Sequence, residues 1–149
     1  MMRKLENLIS SLNFTEAKSV VDRLSENEIE SFFIDLAFKT ENILFYTFIF
    51  DMIKENEKAS LHYIASLILS QPLCHLEGAY QAAFFHAKRA VELDEYDVEL
   101  KEYLLLFNDI PSLLHKSKQE KTGRRLNDSK GLEPFGFPLA SRLNGRIDR

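Results

Sequence analysis

Apolar residues recur at helical spacing from Met1 to Phe107. Leu5, Leu8, Ile9 and Leu12 stand at i, i+3, i+4 and i+7, and Ile29, Phe32, Phe33 and Leu36 repeat that pattern. Positions three and four apart share one side of an α-helix, so each set predicts a helix with one buried face. Glycine is absent between Met1 and Glu77, which suits long helices. Ser25 and Glu28 have capping-box spacing, in which each side chain satisfies a backbone donor that the helix start leaves unpaired, so a helix is expected to begin near Glu26. Asn13 is placed to cap a short helix carrying Phe14, Ala17, Val20, Val21 and Leu24 on one side.

The pattern changes from Glu41 to Asn56. There Ile43, Leu44, Phe45, Tyr46, Phe48, Ile49, Phe50, Met52 and Ile53 surround the helix axis, predicting a helix buried on most sides. The next helix, Ala59 to Ser70, turns Ile64, Leu67 and Ile68 inward, and Pro72 ends it by disfavouring helix at Gln71. Gly78 to Phe107 reads as a helix, an acidic turn and a second helix. Ala83, Ala87 and Ala90 fall at i, i+4 and i+7, where small side chains let a neighbouring helix approach closely. Asp97 is the expected cap of the last helix, which buries Leu100, Tyr103, Leu104 and Phe107, and Pro111 ends the regular structure. The fold class is therefore all-α, with six or seven helices stacked as antiparallel hairpins.

The segment AFFHAKRAVELDEYD, with Ala83, Ala90, Leu93 and Asp94 in place, resembles the second helix and inter-repeat turn of a tetratricopeptide repeat. The match covers about one unit, and positions one period earlier, Ile49 and Asn56, do not repeat its alanines. The resemblance implies a divergent α-α superhelix and a role in protein binding, without specifying a ligand residue.

A chain of 149 residues ordinarily forms one domain without help from disulfides or metals. Its single cysteine, Cys74, follows Leu73 and reads as a small buried hydrophobe, which fits a reducing, cytoplasmic location. Glu6, Asn7, Ser10 and Ser11 interrupt the apolar N-terminal positions, unlike a signal-peptide core. The longest apolar run, Ile43 to Phe50, is far shorter than the roughly 20 residues a bilayer requires, so no membrane span is expected.

Charge is unevenly distributed. Residues 1–120 carry 12 Lys and Arg against 20 Asp and Glu, net -8, whereas residues 121–149 carry 7 against 3, net +4. Four of the five glycines lie in that second part, so the composition shifts near Lys121. The expected organisation is a helical domain over 1–116 and a basic, Gly- and Pro-containing tail over 117–149, disordered or foreign to the domain.

Six carboxylates, Glu92, Asp94, Glu95, Asp97, Glu99 and Glu102, crowd into eleven residues around the last inter-helix turn. They form either a docking surface for a basic partner or a solvated turn and helix face. A metal reading takes His75, Glu77 and His86, since residues eleven apart on a helix share a face. Three turns would separate the two imidazoles by about 16 Å, and His62 would have to arrive from another helix. The sequence therefore gives His86 a hydrogen bond to a neighbouring helix in a partly buried site, and His75 a place in the loop after Pro72. Gly78 stands alone, and no nucleophile–base spacing is visible. No catalytic, cofactor or metal site is expected. The basic cluster Lys116, Lys118, Lys121, Arg124 and Arg125 lacks interleaved aromatics, which argues against nucleic acid as a partner. The expected function is a non-catalytic protein-binding module, with acidic immunity proteins and antitoxins of bacteria as the class suited to an acidic body. The alternative is an adaptor holding a peptide in a helical groove. Oligomeric state stays open.

Overall fold

Seven α-helices follow one another in the computed structural model, which describes residues 1–109: α1 Met2–Ser10, α2 Phe14–Val21, α3 Glu26–Thr40, α4 Ile43–Glu55, α5 Ala59–Ser70, α6 Ala79–Leu93 and α7 Val98–Leu105. A 3-10 turn, Leu106–Asp109, closes the series, and no strand occurs among the described residues. The expectations for the tail 117–149, the basic cluster and the break at Pro111 lie outside the described residues.

Local chemistry sets the helix starts. Ser25 Oγ accepts from the Glu28 backbone N–H at 3.3 Å while Glu28 Oε2 accepts from the Ser25 N–H at 2.8 Å, completing the capping box. Asn13 caps α2 by accepting from the Glu16 N–H, and Asp97 caps α7 by accepting from the Leu100 N–H. Asn42 does the same for α4, accepting from the Leu44 N–H at 2.9 Å. Gly78 precedes α6 at φ +80°, a left-handed conformation that costs glycine little because it has no Cβ.

Packing departs from the sequence expectation in α4 and α5. Ile43, Thr47 and Phe50 lie on an exposed face of α4, so that helix is not buried on most sides. The encircled helix is α5, buried at every position from Leu61 to Ser70. It packs against α3, α4 and α6, which leaves α4 on the outside with one face in water. Every polar group on α5 must then find an internal partner. Ser66 Oγ donates to the Ala83 carbonyl at 2.7 Å, and Tyr103 from α7 lies 2.9 Å from Ser66 and 3.2 Å from Ser70.

The alanine stripe behaves as expected. Ala83, Ala87 and Ala90 are all buried, and they bring α6 close against α5. At the other end of the core, Phe48 stacks on Phe33 and meets Phe14 edge-on. Cys74 is half-buried rather than buried: Leu73 takes the core position in the turn between α5 and α6, and the Cys74 thiol lies beside the Tyr80 hydroxyl.

Candidate functional site

The α6–α7 turn brings some of its carboxylates to a cleft and turns others away. Asp94 ends α6 and Asp97 begins α7, and both line a cleft of about 340 Å³. Glu26 from the first turn of α3 and Glu57, just ahead of α5, line the opposite wall together with Lys58 and Ser60. Ser60 Oγ donates to Glu26 at 3.2 Å, which fixes that carboxylate at the cleft edge. Glu95, Glu99 and Glu102 do not line the cleft: Glu95 is exposed in the turn, Glu99 is half-buried in α7, and Glu102 is exposed on α7. Glu92 is exposed on the last turn of α6 and accepts from Arg89 Nη1 at 3.1 Å. Between Glu95 and Asp97, Tyr96 is 93% exposed.

Glu57 links this surface to the interior. Arg89 grips it through Nε at 2.7 Å and Nη2 at 2.9 Å, a bidentate fork. The guanidinium, followed by the hydrogen bond from His62, lowers the Glu57 pKa to about 2. His62 Nε2 lies 2.9 Å from Glu57, His62 Nδ1 lies 2.8 Å from His86 Nδ1, and His86 Nε2 lies 3.0 Å from the Tyr46 hydroxyl. Two facing Nδ1 atoms need one proton between them, and the ionised carboxylate assigns it. Glu57 accepts from His62 Nε2–H, so the Nδ1 of neutral His62 is bare and accepts from His86 Nδ1–H. The bare His86 Nε2 then accepts from Tyr46 O–H. Burial pushes His86 down to about 4, helped by the neighbouring His62. Burial also lowers His62, against the pull of Glu57. Both rings are thus neutral at neutral pH, and one directional chain of hydrogen bonds ties α4, α5 and α6 to the cleft wall.

This chain replaces the histidine set considered from sequence. His86 does bond to neighbouring helices, but it is fully rather than partly buried. His75 sits exposed in the turn before α6 begins at Ala79, so it does not share a helix with His86. Two imidazole nitrogens on one zinc would stand about 3.3 Å apart, whereas the His62 and His86 nitrogens are at hydrogen-bond distance. No group of three His, Cys, Asp or Glu able to hold a metal occurs among the described residues. The rings of Phe50 and Phe85 flank His86 edge-on and screen it while exposing their own outer faces.

Of the six carboxylates singled out in the sequence, Asp94 and Asp97 line the cleft, whereas Glu26 and Glu57 on its wall, Arg89 beside Glu57 and the buried His62 are not among the docking residues singled out there. The Glu57–Arg89 pair spans 32 residues, beyond any helical period. No family model, curated protein or solved structure matches this chain. No helix among the described residues is long and apolar enough to cross a membrane.

Proposed function

We propose that this chain is a non-catalytic, cytoplasmic protein-binding module that docks a basic protein on the acidic cleft between α5 and the α6–α7 turn. The observation that carries the reading is the convergence of Glu26, Glu57, Asp94 and Asp97 on one cleft with Lys58. Arg89 neutralises Glu57 and Lys58 offsets one further charge, so the four carboxylates leave an excess of two negative charges facing a concave surface. A lysine or arginine side chain fits such a site by charge and by hydrogen-bond geometry. Tyr96 beside it offers a large, nearly fully exposed ring, the residue type that anchors protein interfaces. Within this reading, the tetratricopeptide-like hairpin α6–α7 is the docking edge, and neutralisation of a basic protein, as immunity proteins and antitoxins perform it, is the role that suits the net -8 of residues 1–120.

The test is capture of partners from native lysate across a salt series, with wild type beside the triple variant Asp94→Lys, Glu95→Lys, Tyr96→Ala. Asp94, Glu95 and Tyr96 are exposed, so the fold tolerates the changes. A basic protein is expected to be retained at low salt, released as salt screens the charges, and bound at least about tenfold more weakly by the variant. Retention that ignores both salt and the three substitutions overturns the proposal.

A further inference from the structure

A second concave surface lies along the other side of α3. α1 packs on α2 and α4, and α3 packs on α4 and α5, which leaves a groove of about 580 Å³ between α1 and α3. Its α3 wall is a single helical face: Glu28, Ser31, Phe32, Asp35 and Lys39 stand at i, i+3, i+4, i+7 and i+11. Those positions span about 16 Å, or three helical turns. Met2 from α1 and Phe32 and Leu36 from α3 supply the apolar floor, and an edge-on contact with Phe33 holds the Phe32 ring in place. Charge then selects the occupant. Glu6 stands on the α1 wall and Glu28 and Asp35 on the α3 wall, so the apolar seam has carboxylates on both sides, with Lys39 as the lining cation at the far end.

We infer that this groove takes a basic amphipathic helix of about three turns from another protein, its apolar stripe on Met2, Phe32 and Leu36 and its lysines or arginines against Glu6, Glu28 and Asp35. The length of the α3 face matches three turns of a docked helix, and helix beside helix is the packing such a groove accommodates. Carboxylates on both walls suit a helix whose apolar stripe is bordered by cations on both sides. The inference uses residues separate from the acidic cleft and does not rest on that reading.

The probe is a synthetic helix of about three turns with leucine at i, i+3, i+4 and i+7 and lysine elsewhere, titrated into the isotopically labelled full chain and followed by backbone NMR. A second peptide carries glutamate in place of lysine. The lysine peptide is expected to shift the amides of Glu6, Ser31, Phe32 and Asp35, and the glutamate peptide to leave them in place. The double variant Glu6→Lys, Asp35→Lys changes one half-buried and one exposed side chain, leaves the remaining spectrum intact, and should weaken the lysine peptide at least about tenfold. Four results overturn the inference: no binding, equal binding of the two peptides, shifts confined to residues 94–97, or concentration-dependent groove shifts without peptide, which mean a second copy seated there.

Discussion

Acidification from pH 7 to about pH 4 is expected to remove roughly 3 kcal/mol of folding stability through His86 alone. In the unfolded chain His86 takes a proton near pH 6.5, whereas in the fold burial holds it neutral down to about 4. Between those values the unfolded state binds more protons, so stability rises with pH across the window and is fully present above it. His62 is displaced in the same direction by the same cause and adds to the slope. Glu57 acts in a lower window: the unfolded carboxylate protonates first, so its contribution is present above about pH 4.5 and is lost as the pH falls from there to about 2. Urea unfolding followed at successive pH values should show the midpoint falling already between pH 6.5 and 5, above the ordinary carboxylate range. In the variant His86→Leu that part of the slope should flatten. The variant should also lose about 2–4 kcal/mol at pH 7, because His62 Nδ1 and the Tyr46 hydroxyl are left without their partner. A midpoint that stays constant from pH 7 to 5 contradicts the neutral, buried histidine pair.

Tyr103→Ala is expected to cost about 4 kcal/mol, the second large effect. The ring is 1% exposed, meets Tyr63 and Phe107 edge-on, and seats α7 against α5. Its hydroxyl has a defined role. Ser66 gives its proton to the Ala83 carbonyl, so Tyr103 O–H donates to Ser66 Oγ, and Ser70 lies within reach on its other side. Tyr103→Phe keeps the ring and removes that donor, for an expected loss of about 1–2 kcal/mol. Chemical denaturation of the two variants separates the contributions. A neutral Tyr103→Phe, or a Tyr103→Ala loss under about 1 kcal/mol, would mean that α7 is not seated by this side chain.

Helix starts were legible in the sequence because a cap is decided within four residues. Ser25 with Glu28, Asn13 and Asp97 all perform the roles their spacing implies. Burial was less legible. The apolar residues of α4 encircle its axis, yet Ile43 and Phe50 face water, while α5 is enclosed despite a polar stripe of His62, Ser66 and Ser70 at i, i+4 and i+8. Hydropathy shows which residues are apolar, but not which helix its neighbours surround. The usable signal in α5 was its lack of any Asp, Glu, Lys or Arg. A stripe of small hydroxyls and one imidazole can be satisfied by internal acceptors, whereas fixed charges resist burial.

The candidate site divided the same way. Asp94 and Asp97 belong to one turn and were visible as neighbours, but the opposite wall comes from Glu26 and Glu57 on distant segments. Glu95, Glu99 and Glu102 shared the sequence cluster without sharing the cleft, because residues of a turn and of the helix after it project in several directions. His86 needed His62 and Tyr46, which only tertiary packing supplies.

The docking account is tested most directly by hydrogen–deuterium exchange of the full chain with and without the captured basic partner. Added protection is expected in segments 57–60 and 93–98, with the α4 face around Ile43 and Phe50 exchanging as in the free protein. Protection that falls on that α4 face and spares the cleft would contradict it.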